Sequence, residues 1–116
     1  MILSEPIIIR NSRVPKLCSW TMRVYAITLF PFVFIRDEGD EITITHETIH
    51  HKQYLETLVL GFLFLYLFDF VYGLIKYRST EEAYFRIRFE QEAYANDIYE
   101  DYLEKRRMFS WLKYKV

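Results

Sequence analysis

The sequence is poor in residues that cross-link, stiffen or break a chain, with one cysteine, three glycines and three prolines among 116 residues. A lone Cys18 excludes an intrachain disulfide framework and fits a reducing compartment. Scarce glycine and proline, with no internal repeat or low-complexity stretch, exclude the fibrous and disordered classes. Charge of one sign is missing too. The 15 basic residues stand against 16 acidic ones, so no net positive field neutralises a phosphate backbone, and nucleic acid is not expected as a main partner. The stretch from Met1 to Arg10 has no basic segment followed by a long apolar run, so it does not read as a signal peptide. A cytoplasmic or membrane-associated location is expected. Histidine is scarce as well, three in all, and its value lies in where the three fall.

What is abundant is apolar and aromatic surface, 52% and 19% of the residues. That is enough for one core, and the length fits a single domain, 1–116, without a separate regulatory module. Residues 1–41 form a β-rich N-terminal part: the run from Val24 to Arg36 reads as one or two strands, with Pro31 forcing an edge or a break. A polar turn, Asp37 to Glu41, follows, and Ile42–Thr45 is either a short strand or the lead-in to a helix. Residues 42–77 hold a first helix, His46 to Thr57, and then an apolar segment, Leu58 to Ile75, interrupted only by Asp69 and two glycines. This second segment either spans or lies in a membrane, or forms the central helix of a soluble domain. Asp69 needs a partner there, and Arg86, Arg88 or a tyrosine hydroxyl can supply one. In residues 78–116, Ser79-Thr-Glu-Glu82 has the form of a capping box and predicts a helix from about Thr80, kinked near Phe89. Ile87, Tyr94, Ile98 and Tyr102 are expected to form its apolar stripe, and the tail from Met108 to pack back on the domain or touch lipid. The expected fold class is α+β, a small N-terminal β element followed by a helical metal-binding domain.

All three histidines lie in His46-Glu47-Thr48-Ile49-His50-His51. On a helix, residues four apart share a face one turn apart, so His46 and His50 can grip one ion, and imidazole nitrogen is a good zinc ligand. Glu47 points aside yet stays close enough to take a proton from a metal-bound water, the role of general base. The His-Glu-x-x-His pattern is a known metalloprotease signature, and it also arises by chance on surface helices rich in His and Glu. A catalytic zinc wants a third protein ligand and one open position. Cys18, Asp69, Glu90, Glu92 and Asp97 are the candidates. Glu92 is preferred, with Asn96, four residues on, orienting His46 or His50; the bland alternative leaves Glu90 and Glu92 as solvated charges. Gln53 shares the His46/His50 face and can bond a ligand histidine or a substrate carbonyl. His51 points elsewhere and is expected at the surface or behind the ligands rather than as a fourth ligand. A Cys18-His-His set would resemble peptide deformylases, but that family's glycine-rich segments are missing.

The string His46-Glu47-x-x-His50, with Glu92-x-x-x-Asn96 on a later helix, resembles the gluzincin zinc metallopeptidases. The pattern is nearest that of the CAAX prenyl endopeptidase and heat-shock metallopeptidase group, which has Asp where this chain has Asn96. The wider string, from His46 through Gln53 to Phe89-Glu-Gln-Glu-Ala-Tyr-Ala-Asn96, is similar to small bacterial and phage proteins with the same His-Glu-x-x-His-x-x-Gln motif. The resemblance spans about residues 25–105. It implies one zinc ion on His46, His50 and Glu92, Glu47 as base, and a peptide or protein substrate. Two competing expectations remain: a metal that only staples helices, and a metal-free membrane or partner-binding helical protein.

Overall fold

A computed structural model describes residues 5–17 and 25–116; Cys18 lies outside them. The order along the chain is β1 (Ile7–Ile9), α1 (Val14–Leu17), β2 (Ala26–Leu29), β3 (Phe32–Ile35), α2 (Glu41–Glu56), α3 (Leu60–Tyr77), α4 (Thr80–Arg86), α5 (Arg88–Asn96), α6 (Tyr102–Lys105) and a 3₁₀ turn, Ser110–Lys113. The fold is α+β, with a small N-terminal sheet leading into a helical body.

In the sheet β3 is central, parallel to β1 with Ile8 opposite Val33, and antiparallel to β2 with Thr28 opposite Val33. Pro31 sits in the two-residue turn between β2 and β3, where its missing N–H costs no ladder bond. Along β3, Val33 and Ile35 are buried while Phe32 is exposed, the alternation of a strand with one covered face. Ile42–Thr45 is helical. Asp40 caps α2 by accepting from the Thr43 N–H at 2.7 Å, so the helix starts five residues ahead of His46. Its end falls where expected: Thr57 is the cap, and Leu58 and Val59 both take positive φ, 57° and 66°, a conformation no helix continues.

Of the two expectations for the apolar segment, membrane or buried central helix, the second is not met, since α3 lies largely at the surface. α3 buries only Phe62, Asp69 and Gly73, and presents the rest of its length to a neighbour on one side and the outside on the other. α4 runs back along it, and Gly73 permits the approach: a Cβ there would stand 2.9 Å from Ala83 Cα. Ser79 caps α4 as the capping box implies, accepting from the Glu82 N–H. The kink is a full break. Ile87 adopts an extended conformation (φ −58°, ψ 129°), and α5 starts afresh at Arg88. The predicted stripe through Ile87, Tyr94, Ile98 and Tyr102 is therefore lost. Ile87 is in the core, but the helix stops at Asn96, and Tyr94 and Ile98 are exposed.

The core is a stack of rings joining three helices. Tyr54 of α2 lies 3.8 Å from Phe62 of α3, and Phe62 lies 4.5 Å from Phe89 of α5, both nearly parallel; Trp111 closes the end edge-on to Phe89. The tail thus packs back on the domain through Trp111. Asp69 finds Arg88. Its carboxylate takes two bonds from the guanidinium at 2.9 Å and a third from the Arg88 backbone N–H at 3.2 Å, so one α3 side chain caps the first turn of α5.

Removing that carboxylate strands a cation and an N–H together. Asp69→Ala is expected to cost about 2–4 kcal/mol in urea unfolding. Arg86→Ala, which breaks an exposed pair with Glu82, is expected to cost under about 0.5 kcal/mol. Equal losses would show that the Asp69 bridge holds nothing in place.

Candidate metal centre

Two helices build the site. α2 carries His46, Glu47 and His50 on its buried side, and α5 crosses it with Glu90, Tyr94 and Asp97 at its C-cap. Residues 90, 94 and 97 are four and three apart, so they share a face, and His46 meets all three. Its Nε2 is 3.0 Å from Glu90 Oε1, its Nδ1 is 3.0 Å from Asp97 Oδ2, and the Tyr94 ring stands edge-on at 4.4 Å. His50 reaches the same oxygen. Its Nε2 is also 3.0 Å from Glu90 Oε1, while its Nδ1 is 2.7 Å from Gln53 Oε1. The other Glu90 oxygen accepts from the Tyr66 hydroxyl at 2.6 Å. His46, His50 and Glu90 are all buried, with one ligand atom from each within 4.8 Å of the others.

Hydrogen-bond roles fix what this arrangement wants. Gln53 gives its Nε2–H bonds to Phe89 O (3.1 Å) and Glu92 Oε1 (3.0 Å), so its Oε1 faces His50 as an acceptor. The Asp97 carboxylate is an acceptor toward His46. Both Nδ1 atoms therefore carry hydrogen, and a neutral imidazole then has only a lone pair at Nε2. Two Nε2 lone pairs and a carboxylate oxygen converge on one point. Only a cation or added protons can satisfy three acceptors at once. For a metal bound about 2.0–2.1 Å from each ligand, tetrahedral geometry puts neighbouring ligand atoms about 3.3 Å apart, close to the 3.0 Å from Glu90 Oε1 to each Nε2. The group can hold a metal ion.

Without an ion, protons take that role. Burial, the strongest single influence on both imidazoles, disfavours their charged forms; Glu90, with help from Glu47, outweighs it and raises both pKa values, His50 to about 9. Burial pushes Glu90 up, but the two imidazoles prevail and hold it well below the usual carboxylate range. Glu47 is raised, chiefly by burial, against the pull of His50 and His46.

Glu47 lies beside the convergence point and outside it. Its Oε2 is 3.9 Å from His46 Nε2, and its Oε1 accepts from the Thr28 hydroxyl of β2 at 2.9 Å. The carbonyl of Thr28 in turn accepts from Tyr54 at 2.8 Å, which ties the sheet to the metal-binding helix.

The third acid is Glu90, and the expectation of Glu92 in that place is corrected. Two residues turn a helix by about 200°, so Glu90 and Glu92 face nearly opposite ways. Glu92 is completely buried, but its carboxylate goes to Arg106 (2.6 and 3.0 Å), the Tyr102 hydroxyl (2.6 Å) and Gln53. It acts on the site only through Gln53, which it holds against His50. Asn96 is likewise corrected. Its amide donates to Glu92 O and Tyr114, and Asp97, the next residue, takes the position against His46. Asp69 is spent on Arg88. His51, expected at the surface or behind the ligands, is fully buried and stacked on Phe30 at 5.0 Å. The spacing Glu90-x₃-Tyr94-x₂-Asp97 could have pointed to Glu90, because it places two acids and an aromatic ring on one helical face.

Arg106 anchors the rear of the site. Besides Glu92 it makes two bonds to Glu56 at the end of α2, 2.7 and 2.9 Å, with its side chain 5% exposed. A chain of contacts thus runs from Arg106 through Glu92 and Gln53 to His50.

Comparison with protein-family models, curated proteins and solved structures returns no match.

With zinc as the probe ion in a competition titration, Glu90→Ala is expected to weaken binding most. Gln53→Ala, which frees the His50 ring, is expected to lose about 10–100-fold. A Glu92→Gln variant that loses more than Glu90→Ala would reverse the assignment of the third ligand.

Proposed function

We propose that the protein is a zinc-dependent hydrolase of peptide or related amide bonds, with His46, His50 and Glu90 as ligands and Glu47 as general base. The observation that carries this reading is the meeting of three acceptor atoms, two imidazole nitrogens and one carboxylate oxygen, at one point, with a second carboxylate, Glu47, just outside it. Two imidazoles and one carboxylate make the donor set of a catalytic zinc, which leaves a position for water, and zinc prefers this mixture of nitrogen and oxygen. When bound, the ion supplies Lewis acidity and lowers the pKa of its water toward about 7.

The chain's own residues divide the remaining work. Thr28 holds one oxygen of Glu47, leaving the other directed to the site, where it can take the water's proton and return it to the leaving amine. Burial raises the proton affinity of Glu47 and so strengthens it as a base. Asp97 and Gln53 keep the two Nδ1 positions protonated, which keeps each Nε2 available. Tyr66 holds the second oxygen of Glu90, so that Glu90 ligates through one atom. The choice of an amide substrate rests on the resemblance of the His-Glu-x-x-His motif.

One observation favours a second reading, a zinc that only joins α2 to α5. All three ligand residues are at most 6% exposed. In a small fold such a staple contributes stability directly.

Glu47→Gln separates the two. Under the catalytic reading the variant keeps about one zinc per chain and loses about 10²–10⁴-fold of its cleavage of a quenched fluorescent peptide library. Wild-type protein loaded with zinc that cleaves no member of the library, yet loses thermal stability on chelation, belongs to the second reading.

A further inference from the structure

The outer side of α3 is an apolar stripe left exposed by the described residues. Leu60, Phe64, Leu67, Phe68, Val71 and Ile75 recur at three- and four-residue steps, and Phe64 and Ile75 are 73% and 75% exposed. Between Leu60 and Ile75 the only charge is Asp69, buried on the opposite side with Arg88. Contiguous apolar surface of this kind marks a site of interaction.

The C-terminal end of the stripe has a different chemistry. Lys76 lies over the rings of Tyr72 (5.9 Å) and Tyr77 (5.2 Å). It also donates to the Val116 carbonyl at 3.4 Å, which brings the last residues of the chain, with exposed Lys113 and Lys115, beside it. Arg78 is exposed at the helix cap. On the neighbouring α4, Glu82 is already paired with Arg86. An apolar stripe ending in tyrosines and lysines matches the boundary between acyl chains and anionic headgroups. A second copy of the chain laid on this face brings the same basic end. An anionic bilayer supplies both complements.

Orientation follows from α4. It runs back against α3, held by the Gly73–Ala83 approach, and carries Glu81, Glu82 and Arg86. Crossing the bilayer on α3 would take those charges with it, at large cost. We propose that the protein docks on an anionic phospholipid surface through α3 lying in the plane of the interface, apolar stripe inward, with Lys76, Arg78, Lys113 and Lys115 at the headgroups. This surface is separate from the metal centre and does not rest on the hydrolase reading.

Flotation of the full chain with phosphatidylcholine vesicles, with and without phosphatidylglycerol, tests it. Wild type is expected to float with the anionic vesicles and to be partly released by added salt. Leu67→Glu/Phe68→Glu is expected to lose about tenfold or more of this partitioning. Lys113→Ala/Lys115→Ala is expected to lose about tenfold on anionic vesicles and little on neutral ones. Circular dichroism checks that each variant folds, and Phe64→Ser replaces the double glutamate variant if it does not. Three results overturn the proposal: wild type that stays below the vesicles, charge and stripe variants that float equally well, or a dimer in sedimentation that the stripe variant breaks without any vesicle binding.

Discussion

One carboxylate oxygen, Glu90 Oε1, sits 3.0 Å from the Nε2 atoms of both His46 and His50, and the rest of the site is arranged to keep it there. Three acceptors repel one another in a buried setting unless something positive stands between them. The fold tolerates this because each is gripped from behind. Asp97 holds His46, Gln53 holds His50, and Tyr66 holds Glu90. An ion held at this point would displace protons from the imidazoles, which would couple its binding to proton release.

Bringing Glu90 to that point depends on where α5 begins. Asp69 reaches from α3 to the Arg88 N–H and guanidinium, setting the first turn, and Glu90 lies in that turn. The stack of Tyr54, Phe62 and Phe89 sets the spacing of the same three helices, with Phe62 edge-on to His50 at 5.9 Å. Arg106 then ties the end of α2 to α5 through Glu56 and Glu92. Stability and ligand geometry therefore rest on the same contacts. An ion bound to the folded chain alone would stabilise it in proportion to its affinity.

These dependencies explain what the sequence made legible. The two histidines needed only helical spacing, a local property, and the capping signal at Ser79 was equally local. Pro31 announced a break that the turn between β2 and β3 uses. Glu90 against Glu92 is a question of helical phase, and phase depends on the break at Ile87; the sequence suggests a kink near Phe89, but Ile87 is an ordinary helix former made extended by tertiary packing, so neither the exact place nor the completeness of the break is legible there. The run of α3 is apolar all round, so its composition does not say which side faces the protein. Asp69 and Gly73, four residues apart in that run, mark the packed side only once Arg88 and Ala83 are seen against them.

Burial is the point on which a hydrolase and a metal staple part. Glu47 adds nothing to a staple, because it ligates nothing and lies 3.9 Å from the nearest ligand nitrogen. A buried carboxylate with no structural task is expensive, and burial raises its pKa accordingly. It does have one partner, Thr28, but a threonine hydroxyl could be satisfied by the Glu47 backbone carbonyl alone, which it already touches at 3.1 Å. The carboxylate is thus surplus to the fold. Its nearest partner of that kind is His46 Nε2, one of the three atoms that could hold an ion. Of the side chains around those ligands, Tyr94 is the most open, 44% exposed with its ring edge on His46.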